Sequence, residues 1–183
     1  MFKKVYAFEP NPVAYEVLKI NSNFISETKN IEPFNFGLSD INGTLPFLIN
    51  HSNIGGSAIA DNDETSENII DVSVKKLDDL TILNDENIAL IKIDVDGHEL
   101  DVLKSGKKTI MKHKPFIYFE FAPYLYREFG YSSEILIKFV KNDLNYIFYD
   151  EKLTKVSNIS DFVKKLHNRS QNFFLLHKDM RVK

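Results

Sequence analysis

Three apolar runs in this chain each end in an acid, and those acids are the residues best placed to do chemistry. "VYAFE" closes on Glu9, "ALIKIDV" carries Asp94 with Asp96 two residues further on, and "FIYFE" closes on Glu120. Open α/β sheets bind ligands outside the carboxyl ends of their strands, so acids at these ends face the expected cleft. A carboxylate at the first end can accept both hydroxyl hydrogens of a ribose diol, one on each oxygen. Glu9 is read in that role, against the plainer alternative of a capping or ion-paired acid. Asp94 and Asp96 flank a turn that opens a helix, where partial desolvation could tune either for base work. The plainer alternative there is "DVDG" as a turn followed by a helix cap. His98 is the only one of the five histidines at such a strand-to-helix turn, and it stands beside Asp94 as a second candidate base. For Glu120 the alternative is a buried acid paired with Lys or Arg. Asp94, Asp96, Glu99 and Glu120 offer oxygens of the kind magnesium takes. No histidine pair lies at metal-ligand spacing, and no metal is expected.

These acids need strands behind them and helices after them. "VYAFE" is β-branched and aromatic, as a buried strand should be. Asn11 can cap a helix and Pro12 suits its first turn. Val13, Val17, Ile20 and Phe24 then recur at helical spacing as one core-facing stripe. "IEPFNFGLSD" reads as a second strand ending at Gly37, and "GTLPFLIN" and "IIDVSVKKL" as two more, with polar "NIGGSAIADNDETSEN" as a loop between them. "LDDL" makes a short helical turn. "ALIKIDV" is the nearly unbroken apolar run of a parallel central strand. "HELDVLKSGKKTI" follows as a helix with Leu100, Leu103 and Ile110 on one face. "PFIYFEF" is a buried strand, "SSEILIKFVKNDL" a serine-capped helix, and "NYIFYD" and "NFFLLHK" the last strands. Strands alternating with helices predict an α/β fold with a mostly parallel sheet and helices on both faces. No repeat and no linker interrupts the chain, so residues 1–183 are read as one domain.

Composition narrows the function classes. An apolar fraction of 43% and a charged fraction of 27% are ordinary for a globular protein. A net charge of −3 gives no global pull toward nucleic acid or an anionic membrane. With no cysteine, disulfides, thiolate metal sites and cysteine nucleophiles are excluded. No apolar run approaches the roughly 20 residues that span a bilayer. The opening "MFKKVYAFEP" is not read as a signal peptide, because Glu9 and the prolines interrupt any apolar core. A cytoplasmic location is expected, and the oligomeric state is left open.

Taken in order, "VYAFEPNPVAYEVLKIN", "NFGLSDINGTLPF", "GGSAI", "VSVKKLDDL", "LIKIDVDGHELDVLKSG" and "PFIYFEF" resemble the signature of the FkbM-type methyltransferases, S-adenosylmethionine-dependent enzymes with a Rossmann-like fold. The resemblance runs from Val5 to about Glu120, and "KIDVDGHE" is its most specific block. It implies that Glu9 binds the ribose hydroxyls of S-adenosylmethionine, with Asn11 beside it among the cofactor-binding positions. It implies that Gly37, Leu38 and Ser39 lie against the adenine. Asp94 would face the methionine end and the acceptor, and Glu120 would line the acceptor side. The implied reaction is O-methylation of a hydroxyl on a sugar, glycan or secondary metabolite. Methyl transfer to oxygen needs positioning and removal of one proton. Asp94, or His98 beside it, could take it, and Glu120 is counted with them among the catalytic positions. "HSNIGGSAIADNDETSEN" and "EFAPYLYREFGYSS" are the loops expected over the cleft, where Tyr124, Tyr126 and Tyr131 would suit a polyhydroxylated sugar.

Members of this family open with a strand and a glycine-rich loop, "DVGANxG", ahead of the "FEP" strand. None of the seven glycines forms such a loop upstream of Glu9. The chain is therefore read as a partial methyltransferase domain lacking the first strand, and residues 1–183 are expected to bind the cofactor poorly. Micromolar binding of S-adenosylmethionine would overturn that expectation. Two rivals remain. Glu9 would also suit the ribose of NAD in another Rossmann enzyme, although no Tyr-x-x-x-Lys pair is placed for hydride chemistry. A degenerate Rossmann-like domain could instead bind a partner without catalysis, pairing its open strand edges with another chain. A nucleic-acid methyltransferase is disfavoured, because no "NPPY"-like tetrapeptide follows "KIDVDG" and the basic residues are dispersed.

Overall fold

The computed structural model describes residues 2–24, 29–50, 57–60, 68–164, 166 and 169–180. Its elements form two units, Met1–Lys76 and Leu77–Lys183. In the first unit, β1 (Val5–Phe8) pairs in parallel with β2 (Ile31–Phe34), with α1 (Pro12–Phe24) connecting them. A second sheet has the order β3 (Gly37–Leu38), β6 (Ile69–Lys75), β4 (Gly43–Leu48), β5 (Ala58–Ile59). Along β6, Val72 and Val74 turn inward while Asp71, Ser73 and Lys75 face out, the period of two that a half-buried strand requires. Phe47, Val72 and Val74 are buried here. The expected loop between β4 and β6 contains the short strand β5, while residues 51–56 and 61–67 of it lie outside the described residues.

The second unit opens with two 3-10 turns, Leu77–Asp79 and Thr81–Leu83. It continues with β7 (Leu90–Ile93), α2 (Glu99–Ser105), α3 (Lys107–His113), β8 (Phe116–Phe121), α4 (Ser133–Lys138), a π-helical turn (Phe139–Asp143), β9 (Tyr146–Tyr149), α5 (Ile159–Lys164) and β10 (Gln171–His177). The sheet order is β7-β8-β10-β9, with β7 and β8 parallel and β10 antiparallel to both its neighbours. Alternate residues Ile117, Phe119 and Phe121 of β8 are fully buried against Phe148, Phe173 and Leu175. Phe116, Tyr118 and Glu120 point to the opposite, more open face. Among the described residues no helix is long and apolar enough to cross a membrane.

The fold is α/β, but the expected mostly parallel sheet is corrected: the sheets are mixed. Local geometry explains one reversal. β4 is reached from β3 through residues 39–42 only, far short of the dozen or so a parallel crossover needs, so β4 runs opposite to β3 on the other side of β6.

The helix stripe also needs correction. Val13, Val17, Ile20 and Phe24 are 48–84% exposed. The helix instead turns inward the side carrying Asn11, Ala14, Tyr15, Leu18 and Ser22, whose smaller residues permit a close approach to β2. The buried Ser22 hydroxyl is satisfied by the Leu18 carbonyl at 2.7 Å.

The single helix expected after "DVDG" is broken at Gly106. Leu77 Cδ2 lies 2.5 Å from where a Cβ would stand on Gly106, so a larger residue would have to displace the Leu77 side chain. The Leu77 N–H donates to Ser105 Oγ, and the Asp78 carboxylate accepts the Lys108 and Thr109 N–H groups at 2.9 and 2.8 Å. Asp78 thus caps α3 from a distant stretch of chain. Asp78→Ala is expected to cost about 1–2 kcal/mol in denaturant unfolding, the usual worth of a lost N-cap. At α4, Ser132 has the extended backbone of an N-cap but makes no capping bond with its side chain; it hydrogen-bonds Glu134 instead.

Candidate functional site

The carboxyl end of β1 carries the first group of site residues. The Glu9 N–H continues the ladder to the Phe34 carbonyl, and its Oε1 accepts the Asn11 N–H at 2.7 Å. Burial pushes the Glu9 carboxyl above its usual range, and the Asn11 amide only partly offsets that. Asn11 is 1% exposed and caps α1, its Oδ1 accepting the Val13 and Ala14 N–H groups at 3.0 and 3.4 Å. Its Nδ2 is buried with no hydrogen-bond partner, so this amide has two donors still to place. Asn35 Nδ2 binds the carbonyls of Glu9 and Pro10 at 2.9 and 3.3 Å, tying the turn after β1 to the chain leading into β3. A Cβ on Gly37 would stand 3.4 Å from Pro10, so the two segments touch. Leu38 is half-buried in β3, and buried Ser39 donates its N–H to the Lys75 carbonyl. Glu9, Asn11, Gly37, Leu38 and Ser39 are thereby gathered at neighbouring strand ends of one unit.

The second group sits at the carboxyl ends of β7 and β8. Lys92 Nζ lies 2.6 Å from Asp94 Oδ2 and holds that carboxyl below its usual range. Asp94 and Glu120 lie within hydrogen-bonding reach of each other, as expected for the ends of adjacent parallel strands. A hydrogen bond with Ser170 favours the Glu120 carboxylate. Burial, the Asp94 hydrogen bond and the charges of Asp94 and Asp96 outweigh it and push Glu120 up. Asp96 is raised by burial and then by the Asp94 charge. Two carboxyl groups in contact, displaced in opposite directions, are the arrangement that shares one proton.

The turn between them is tight. Asp96 and Gly97 both have positive φ, 43° and 102°, and aspartate is among the few residues that tolerate this. The Phe129 ring fills the space above Gly97, with Cε2 2.4 Å from where a Cβ would stand. Gly97→Ala is therefore expected to cost roughly 2–4 kcal/mol in chemical denaturation, from backbone strain and overpacking together.

His98 is not drawn into the carboxyl pair. Its ring packs on Phe129 with centroids 4.1 Å apart, and Nδ1 stands 3.4 Å from Asp101 Oδ2. Its Nε2 is buried without a partner. Glu99, the first residue of α2, is 1% exposed, and burial pushes its carboxyl up to about 7. Of the tyrosines assigned to acceptor binding, Tyr126 is fully buried with its hydroxyl accepting the Ala122 N–H. The Tyr131 hydroxyl is committed to the Gly97 carbonyl, which leaves Tyr124, 41% exposed. Among the described residues no group of three or more acidic and histidine side chains is placed to hold a metal ion. Sequence reasoning missed Ser170, which bonds Glu120 only because β10 returns beside β8, and Asp101, whose i,i+3 spacing from His98 was the available signal.

Comparison with known proteins bears on the family. The family model of the methyltransferase FkbM domain matches residues 2–148. "Methyltransferase sdnD" of Sordaria araneosa is 30% identical, over 55% of this chain and 50% of that protein. "Hexuronic acid methyltransferase AglP" of Haloferax volcanii is 32% identical, over 63% of this chain and 46% of that protein. The chain thus spans about half the length of the curated relatives it matches. The crystal structure of methyltransferase FkbM from Methylobacillus flagellatus KT is similar with a TM-score of 0.53 at 17% identity, covering 94% of this chain and 36% of that one. At that identity the likeness concerns the α/β fold alone. The family match extends over most of the chain and includes both groups of strand-end acids, and the chain belongs to the FkbM methyltransferase domain family.

Proposed function

We propose that this domain serves S-adenosylmethionine-dependent O-methylation of a neutral hydroxyl acceptor such as a sugar. The observation that carries the reading is the Asp94–Glu120 pair, which follows two adjacent parallel strands, with the carboxyls within hydrogen-bonding reach and displaced in opposite directions. Titratable neighbours pushed apart in this way mark acid–base work. Asp94, tied to Lys92, stays ionised, and Glu120 takes the proton of the acceptor hydroxyl as that oxygen is alkylated. The cofactor supplies an electrophilic methyl group on a sulfonium. The residues around Glu9 suit it. The Glu9 carboxylate accepts from the ribose hydroxyls, the unpaired Asn11 Nδ2 donates to a ribose oxygen, and Leu38 and Ser39 lie along the adenine. His98, turned toward Asp101 and Phe129, supports the turn rather than taking the proton.

The acceptor class follows from charge. Asp94, Asp96 and Glu120 influence one another electrostatically, and Lys92 is paired with Asp94. An anionic acceptor would be repelled there. The Haloferax volcanii relative is named for hexuronic acid, so the two acceptor classes can be set side by side. The test is transfer of radiolabelled methyl from S-adenosylmethionine to a neutral hexoside and to the matching hexuronide. Label on the neutral hexoside supports the reading; label only on the hexuronide, or on neither across a panel of hydroxyl acceptors, overturns it.

A further inference from the structure

The turn that carries Asp94 and Asp96 is held from outside by side chains with no part in the chemistry proposed above. Its middle residue, Gly97, is gripped at both backbone groups. The Gly97 N–H donates to Glu99 Oε1 at 3.2 Å, and the Gly97 carbonyl accepts from the Tyr131 hydroxyl. That hydroxyl also lies against the backbone amide of Leu100 in the first turn of α2. Phe129 packs on Gly97 and on the His98 ring, so the segment after β8 covers the turn from one side. Tyr131 is itself fixed, stacked on the fully buried Tyr126 at 4.8 Å. Glycine takes positive φ freely, but Asp96 beside it costs on the order of 1 kcal/mol or more in that conformation, so the turn does not hold its shape unaided.

We propose that Tyr131 and Glu99 are positioning residues, which hold Gly97 between them and so keep Asp94 and Asp96 against Glu120. This rests on the reading that the Asp94–Glu120 pair takes the acceptor proton, but it is tested without turnover. The Gly97 carbonyl can only accept, so the Tyr131 O–H is the donor, and phenylalanine would retain the stacking while losing that bond. The buried Glu99 carboxyl meets two backbone amides, that of Gly97 and its own, and its Oε2 has no partner. The groups that act on it electrostatically are Asp96 and Glu120, and it acts in turn on Tyr126 and Tyr131. Burial pushes the Glu99 carboxyl up to about 7, so it is largely neutral in mildly acidic solution. Glutamine is then a close mimic that keeps the acceptor for Gly97, whereas leucine removes it.

The experiment is carbon-13 carboxyl NMR titration of the full chain, of Tyr131→Phe, of Glu99→Gln and of Glu99→Leu, with thermal unfolding of each. If the turn relaxes, Asp94 and Asp96 draw away and their push on Glu120 weakens. The upper apparent pKa of the Asp94–Glu120 pair should then fall by about one unit in Tyr131→Phe and Glu99→Leu. In Glu99→Gln it should stay near the parent value. A residue that merely stabilises the fold would lower Tm and leave these titrations in place. Unchanged titration in folded Tyr131→Phe overturns the proposal, even if Glu99→Leu fails to fold. The methyltransferase reading fails separately, through absence of methyl transfer by a parent protein whose pair titrates as described.

Discussion

Glu9→Ala is expected to raise the dissociation constant for S-adenosylmethionine at least a hundredfold from a parent value already weaker than micromolar, which titration calorimetry reads as loss of detectable binding. The carboxylate stands where β1 ends, and its Oε1 is partly engaged by the Asn11 N–H. A ribose diol adds two charge-assisted hydrogen bonds, each worth about 1.5–3 kcal/mol when a charged acceptor is involved. Losing both corresponds to about 3 kcal/mol or more, and 1.4 kcal/mol is a factor of ten in affinity. The same substitution also frees the Asn11 amide, so a small loss of stability is expected alongside. Glu9→Gln separates the two effects. It can keep an oxygen on the Asn11 N–H but places donors toward the diol, so stability should hold while affinity still falls. If Glu9→Ala binds as the parent does, the ribose role of Glu9 is lost and the cofactor must be held elsewhere.

Much of the secondary structure is legible because burial writes itself locally. The runs at β7, β8, β9 and β10 are β-branched and aromatic, and each lies where the sequence places a strand. Strand direction is not written this way. Nothing within "GTLPFL" or "NFFLLH" states which neighbour it will meet, so the sheets come out mixed where a parallel one was expected. The stripe on α1 misleads for a related reason: the helix carries a second, smaller-residue face through Ala14, Leu18 and Ser22, and periodicity alone does not rank the two. The break at Gly106 lies against Leu77, a residue nearly thirty positions away. α5 was missed although a signal existed. Asn158 and Asp161 cap its start reciprocally, Asn158 Oδ1 accepting the Asp161 N–H and Asn158 Nδ2 meeting the Asp161 carboxylate.

The site divides along the same line. Glu9, Asp94 and Glu120 are legible because a strand end is a local event and an acid there is uncommon without a reason. Their states are not legible. That Asp94 leans on Lys92 follows from their i,i+2 spacing on β7, but the opposing push on Glu120 comes from strand pairing and from Ser170. His98 shows the limit most sharply. Its place in "DVDGHE" suggests a base, yet the direction of its ring is set by Phe129 and Asp101. Phe129 belongs to a segment that sequence reasoning assigned to the acceptor.

Replacing Glu120 by glutamine is expected to lower kcat by two to three orders of magnitude, within the ~10²–10⁴ that a positioned base contributes. The cofactor dissociation constant should change little. The pH dependence distinguishes a base from a mere contact. A general base works only when deprotonated, so kcat/KM rises with pH through the upper apparent pKa of the Asp94–Glu120 pair. Its acid limb should lie above the usual glutamate range, because the Asp94 hydrogen bond and charge help hold the Glu120 proton on. Asp94→Asn removes that charge and releases Lys92, which would then favour ionised Glu120. The acid limb should accordingly move to lower pH while kcat falls. Glu120→Gln should abolish the limb altogether. A limb that stays at the same pH in Asp94→Asn, or survives in Glu120→Gln, assigns the proton to another group. His98 would then be the next to replace, since its Nε2 has no partner and a rotated ring would free it from Phe129.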